Sequence, residues 1–453
     1  MLQPAPRRLV LASIDPWRGD DHFRPFDYGV RRIAAAVRGS TRTADLWQVD
    51  ILSRRDADVD ALVEAIVALS PDVVGFSTYV WSIEPFLEAA RRLKALPNPP
   101  VILLGGPSAR PVSFVREPLR SMGKHVDAMV LGDGEEIIVD VLSLDKLDKA
   151  SLAAIEGVAV ASPFGMRGTK RSTRTELDAS PSPYQLGLVP RELTAHLEIF
   201  RGCPLKCAFC QWGSYDGERI ASADHLVREL GAIAALEPRG ILLVDAGLNL
   251  NARAFRALSF AEKEVGLLKK TTFSCSFYPT YVRPEHLELL SKTRAHVGIG
   301  IQSIDPEVLH GLDRSAADID KIAGVVKQVA GIADVLLEII VGLPGDSPEG
   351  FWRTFEWARA IGSSVNVYHC LVLPDAILDR AAFDDAYDYD PRSFLLRKAP
   401  GWTPEALERT QTRLDDEARL AGDTSMSNIW HFPGKGRGMR GQNRSETRGR
   451  MAT

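Results

Sequence analysis

The sequence predicts an α/β protein: an N-terminal doubly wound Rossmann-like domain, a partial (β/α)6 barrel, and a small C-terminal extension. Three observations carry this. Short apolar runs alternate with amphipathic stretches through the first 150 residues, the alternation restarts at His196 for six repeats, and it lapses beyond about residue 390. The length, 453 residues, also exceeds what a single core usually serves.

In the first series the apolar runs are Leu9–Ile14, Asp45–Val49, Val73–Ser77, Val101–Leu104 and Ala128–Leu131. Between them Tyr28–Val37, Asp60–Leu69 and Ile83–Leu93 carry apolar residues at helical spacing. Continuous apolar strands separated by helices indicate a parallel sheet covered on both faces. Ligands of such sheets bind beyond the carboxyl ends of the strands, which directs attention to the loops after Ile14, Phe76, Leu104 and Leu131. Residues 151–194 read as a linker with a small β element at Val158–Ala161 and a turn-rich run from Asp178 to Tyr184.

The second series, over residues 195–390, has strand candidates at Leu197–Phe200, Ile241–Val244, Thr272–Phe277, Val297–Ile301, Val335–Val341 and Val365–Val372. Ala223–Leu236, Ala252–Leu268 and Ser315–Val329 read as helices between them. Six such repeats make a partial barrel whose function sits at strand C-terminal ends. Residues 391–430 read as a helical extension built on Glu405–Ala421. Residues 431–453 are glycine-rich and basic, a composition expected to stay disordered as a solvated tail.

Composition excludes several classes. A net charge of −4 offers no global attraction to nucleic acid or anionic membrane. No apolar run approaches the length of a membrane span, and the first residues lack the apolar core and cleavage site of a signal peptide. Five cysteines do not make a disulfide framework: three lie close together, while Cys275 and Cys370 stand alone. That usage suits a cytoplasmic protein with a local metal site.

The three are Cys203, Cys207 and Cys210, on a loop that also carries Gly202 and Pro204 and follows the first strand of the second series. Thiolates at this spacing can converge on one iron–sulfur cluster, which normally takes four protein ligands. With no fourth cysteine nearby, a [4Fe–4S] cluster held here leaves one iron open to a small molecule. The alternative is structural zinc, but such sites are closed by four ligands, and neither His196 nor His225 stands at a usual spacing.

Cys203, Cys207, Phe209 and Cys210 match, position by position, the Cys-x3-Cys-x2-Cys hallmark of the radical S-adenosylmethionine (SAM) superfamily, which this sequence resembles. The resemblance implies that SAM occupies the open iron and is cleaved reductively, with Phe209 against the adenine. It also implies that Asp245 and Gly247 support the SAM amino group. Gly298, Gly300 and Gln302, with Arg314 beyond, lie on a strand similar to the one that meets SAM ribose and carboxylate. The segments Ile339–Gly345 and Leu371–Pro374 resemble the later strands and loops.

Upstream, Gly75 to Ser82, Leu104 to Pro107 and Val130 to Glu136 resemble the cobalamin-binding domain that precedes the barrel in one radical SAM subfamily. Glycines after parallel strands let a flat cofactor approach the backbone, so Gly105 and Gly106 are candidate contacts, with Ser77 and Ser108 as hydroxyl donors. Their other reading is as turn and capping residues of a domain that has lost cobalamin. The segment Asp20 to Pro25 comes close to a cobalt-ligating motif around His22 but ends in Pro where the motif has Gly; a surface histidine is the other reading.

The subfamily resemblance implies methyl transfer to an unactivated centre of a small biosynthetic intermediate, fed by an electron donor such as flavodoxin or ferredoxin. Cobalamin-assisted rearrangement, cobalamin-independent transfer of the 3-amino-3-carboxypropyl group of SAM (for example to arsenic), and a non-enzymatic iron–sulfur protein are the alternatives. For the arsenic reading, Cys275 and Cys370 are expected to face the barrel lumen as a pair of thiols. Tyr278, Tyr368 and His369 are candidate proton donors or substrate contacts by their strand-end positions.

Overall fold

The computed structural model describes residues 5–16, 23–162, 165–171, 174–214, 217–315, 318–362, 364–422 and 428–434. His22 and most of the basic tail (435–453) lie outside the described residues. The chain divides into two compact units, Met1–Leu193 with Pro391–Ser393, and Thr194–Asp390 with Phe394–Thr453.

In the first unit the strands are β1 (Arg7–Ile14), β2 (Trp47–Arg54), β3 (Val73–Ser77), β4 (Val101–Gly105), β5 (Ala128–Val130), β6 (Val158–Ser162) and β7 (Gly165–Arg167). Their order is β2-β1-β3-β4-β5-β6-β7; the first five run parallel and the last two pair antiparallel. Alternation sorts the apolar strand residues between two helical layers. Leu9, Leu11, Val73 and Leu103 join one core with Val30, Ala34 and Val37 of the helix Tyr28–Gly39 and Ile137 and Val141 of Gly134–Leu142. On the opposite face Phe76 stacks on Phe86 of the helix Ile83–Leu93, with ring centroids 4.5 Å apart. Strand order reverses between β1 and β3, which opens a crevice at their carboxyl ends. The segment read as a linker is partly sheet: β6 and β7 extend it beyond β5.

In the second unit β8 (Ala195–Leu197), β11 (Gly240–Leu243), β12 (Thr272–Ser276), β13 (Arg294–Gln302), β14 (Asp334–Val341) and β15 (Ser364–His369) form a parallel sheet in that order. The hairpins β9 (Phe200–Arg201) with β10 (Arg219–Ile220), and β16 (Asp388–Tyr389) with β17 (Leu396–Lys398), stand apart from it. One difference from the sequence reading is β18 (Ile429–Pro433). It pairs antiparallel with β15 and buries Trp430 and Phe432, so sheet structure crosses the boundary drawn at residue 430.

Which side chains face inward follows from strand parity. A side chain on Gly362, just after the helix Pro348–Ile361, would collide with Leu337, so Leu337 points to the helical layer. Its neighbour Glu338 points to the inner face, and cross-strand register puts Gly298, Gly300, Asn366 and Tyr368 on that same face.

Candidate active site

The cysteine loop is held from both ends. Gly202 has φ +104°, and a side chain there would meet the Gly217 carbonyl oxygen at 2.9 Å; a side chain on Gly213 would strike the Leu205 carbonyl oxygen. Only glycine lets the chain turn this tightly around the thiols. Within the loop the Cys210 amide donates to the Cys207 carbonyl (3.0 Å) and the Leu205 amide to Cys203 Sγ (3.4 Å). The Ala208 amide donates to Leu312 O at 2.9 Å, tying the loop to the segment after β13.

Burial pushes the Cys210 thiol up to about 11, against the backbone bond from Trp212; burial also raises Cys203, against the Leu205 amide and the nearby Arg314 cation. Thiols in such surroundings need cationic partners to ionise, which bound iron supplies. Among the described residues no three ligating side chains gather where one metal ion would sit. A four-iron cluster instead takes each thiolate on a separate iron, so three thiols can hold three of its irons and leave the fourth open.

Arg314 stands beside the thiols. One guanidinium nitrogen, Nη1, lies 3.7 Å from Cys207 Sγ, while Nη2 donates to the Gly300 carbonyl. The guanidinium also lies over the rings of Tyr278 (5.0 Å) and Phe209 (5.9 Å). Tyr278 is in turn clasped by Asn249, which accepts from its amide (2.8 Å) and donates to its carbonyl (2.7 Å). Burial raises the Tyr278 hydroxyl, opposed by the Arg314 cation. Thus the predicted Phe209, Gly300 and Tyr278 gather around one cation beside Cys207.

Gln302 has φ +68°, at a register shift where β13 bulges against β14. Its amide folds back over Gly300, at a point a side chain on Gly300 would occupy. Asp245 has a different setting. It is 5% exposed, and both carboxylate oxygens accept from the Ile199 amide at 3.1 and 3.2 Å. Burial, reinforced by Glu198, holds its carboxyl well above the usual range. In this structure Asp245 clasps the chain leading into the cysteine loop. Gly247 packs against Leu250.

Along the inner face runs a polar chain that sequence reasoning missed except for Tyr368. His431 Nδ1 donates to Asn366 Oδ1 (2.8 Å), Asn366 Nδ2 to the Tyr368 hydroxyl (3.2 Å), and that hydroxyl to Glu338 Oε1 (3.2 Å). The Glu338 carboxylate lies beside the bare α-carbons of Gly298 and Gly300. A charged residue inside the apolar run Val335–Val341 was the signal available in the sequence.

Three expectations are corrected. Cys275 shares parity with Val297, so it faces the helical layer and not the lumen. Cys370 lies past the end of β15, packed near Gly342. Strands β13 and β14 separate the two, a spacing of roughly 14 Å across three strand intervals, so they do not form a thiol pair. His369 also faces outward: its Nε2 meets Leu396 O at 2.7 Å, while Gln411 donates to Nδ1 at 2.6 Å. Burial lowers its proton affinity and both nitrogens are occupied, which leaves it a structural histidine.

In the first unit the predicted residues lie at the carboxyl ends of β3 and β4 and just beyond them. A side chain on Gly105 would meet nothing within 4 Å, and the same holds at Gly132 (φ +100°) after β5. Gly106 (φ +92°) lies so close to Thr78 that a side chain would strike its backbone at 2.9 Å. Ser108 is buried, its amide bonded to Thr78 O, and the Ser77 carbonyl accepts from the Ser82 hydroxyl. Beyond β1 and β3 the rings of Phe26, Tyr79 and Trp81 pack together, and Trp81 Nε1 donates to Ile14 O at 3.1 Å. Open space over glycines beside an aromatic wall suits a flat, bulky cofactor.

Residues 197–358 match the radical SAM superfamily and residues 22–142 the B12 binding domain. The chain is 28% identical over 351 residues to the 2-(S-pantetheinyl)-carbapenam-3-carboxylate methyltransferase of Streptantibioticus cattleyicolor, covering 70% of this chain and 50% of that protein. It is 25% identical over 350 residues to the cobalamin-dependent radical SAM methyltransferase TokK of Streptomyces tokunonensis, covering 71% and 50%. It therefore spans about half the length of these curated relatives. In fold it is similar to TsrM of Kitasatospora setae, a radical SAM methyltransferase solved with cobalamin and a [4Fe–4S] cluster. That likeness has TM-score 0.69 and 15% identity, over 97% of this chain and 93% of that one. The chain thus carries a B12-binding domain ahead of a radical SAM domain.

Proposed function

We propose that this protein is a cobalamin-dependent radical SAM methyltransferase acting on a small molecule. The observation that carries the reading is the combination, in one chain, of a cluster loop with three thiols and a B12-binding domain with open glycines at its strand ends. Three thiolates on a four-iron cluster leave one iron for SAM. Bound together, the cofactors supply reductive cleavage of SAM and a carrier for its methyl group.

The chain's own residues supply position and shelter. Cys203, Cys207 and Cys210 hold the cluster. Phe209, Gly247, Gly300, Gln302 and Arg314 make the SAM cradle, and Asp245 fixes the loop entry. Ser77, Gly105, Gly106 and Ser108 contact cobalamin. Glu338 and Tyr368, on the inner face, present an acceptor and a hydroxyl to a polar substrate group, while Leu336 and Ile340, on the same face by strand parity, help keep water from reactive intermediates. Electrons come from a small carrier such as flavodoxin or ferredoxin.

The relatives named as methyltransferases favour methyl transfer over aminocarboxypropyl transfer, and the separation of Cys275 from Cys370 removes the thiol pair the arsenic reading needed. The test is product analysis of SAM turned over anaerobically by the reconstituted protein with reductant and candidate substrates. S-adenosylhomocysteine and 5′-deoxyadenosine in step with methylated product support the reading. Methylthioadenosine would overturn it in favour of aminocarboxypropyl transfer, and 5′-deoxyadenosine without S-adenosylhomocysteine in favour of rearrangement.

A further inference from the structure

We propose that Arg314 sets the reduction potential of the cluster, holding it above the value the three thiolates alone would give. This rests on the cysteine loop being a cluster site, and adds a role for Arg314 that is independent of any contact with SAM. The geometry carries it. Arg314 Nη1 is 3.7 Å from Cys207 Sγ, within reach of a charge-assisted N–H···S bond. The other donors to loop thiols, the Leu205 amide on Cys203 and the Trp212 amide on Cys210, are neutral.

The cation is fixed from several directions. Its second nitrogen donates to Gly300 O, Tyr278 and Phe209 flank it with their rings, and its backbone amide donates to Leu309 O at 2.9 Å. The segment that carries it is bonded to the cysteine loop through Leu312 O and the Ala208 amide. Arg314 therefore keeps its place beside Cys207 without a bound SAM carboxylate, and thiolate and cation move as one body.

The sign follows from charge. A [4Fe–4S] core held by three thiolates is anionic when oxidised, and one electron from an external reductant makes it more so. A fixed cation beside one sulfur stabilises the reduced form more than the oxidised form and raises the midpoint. Hydrogen bonds to cluster sulfurs and net charge are established levers on such potentials.

The test is an EPR-monitored redox titration of the reconstituted protein without SAM, cobalamin or substrate, with titanium(III) citrate as reductant. Arg314→Met is expected to lower the reduced-to-oxidised ratio at a fixed potential by roughly tenfold, equivalent to about 59 mV for one electron. Arg314→Lys, which keeps the charge and loses the planar fork, is expected to fall between parent and Met variant. It also supplies the measurement if the Met variant fails to hold four irons. A full cluster with an unshifted midpoint in the Lys and Met variants overturns the proposal and leaves Arg314 a SAM contact alone. A parent protein that assembles no cluster overturns the site reading itself, a separate and distinguishable failure.

Discussion

Asp346 shows how one buried carboxyl couples this fold to pH. It follows β14 in the loop before the helix Pro348–Ile361, is 3% exposed, and accepts from the Ser347 amide at 2.7 Å. Burial pushes its carboxyl up to about 6, against that bond. An unfolded chain releases this proton near pH 3.9. Between that value and about 6 the folded chain retains a proton the unfolded chain has lost, so stability falls as pH rises across the window. The penalty, on the order of 3 kcal/mol, then persists at neutral pH. Asp346→Asn keeps an acceptor for Ser347 and removes the titration. Melting at a series of pH values is expected to show the variant above the parent at pH 7.5, with the gap closing below pH 4. An unchanged gap across the series would mean the carboxyl is not what couples this loop to pH.

At the scale of elements, β18 carries the plainest energetic consequence. Phe432 is fully buried, packed edge-on to Phe355 at 4.8 Å and beneath the Arg359 guanidinium, while Trp430 Nε1 bonds Asp415 at 2.6 Å. Phe432→Ala is expected to destabilise the barrel unit by about 3–5 kcal/mol, read as a lower denaturant midpoint. A loss below about 1 kcal/mol would mean the strand is not docked as described. This strand was also the least legible in the sequence. Ile429–Pro433 is short and ends in proline, and its burial comes from pairing with β15, which local pattern does not reveal. Long periodic elements read well because burial on both faces writes a continuous apolar run: the helix Ile83–Leu93 coincides with its expected bounds, and the strands agree within about three residues except β2, which runs five residues past its expected end. Of the site, the cysteines were legible because their chemistry is local. The chain from His431 through Asn366 and Tyr368 to Glu338 was not, since register alone brings those residues together.

For the molecule as a whole, each of the two units presents strand ends suited to a different cofactor. The first is a sheet of order 2-1-3-4-5 extended by β6 and β7, with open glycines at the end of β4 and after β5; the second is a parallel sheet whose inner face carries polar groups, with a cluster loop at its first strand. Among the described residues no helix is long and apolar enough to cross a membrane. Reductive SAM cleavage and methyl carriage need both cofactors on one chain, so the two are expected to be retained together. The most direct measurement is the iron content and absorption spectrum of protein reconstituted anaerobically with iron, sulfide and hydroxocobalamin and then desalted. One cobalamin per chain is expected alongside a full four-iron cluster, with cobalamin lost and iron kept when Gly106 is replaced by Val, whose side chain would strike Thr78. A full cluster with no cobalamin retained by the parent protein would rule out cobalamin-dependent methyl transfer.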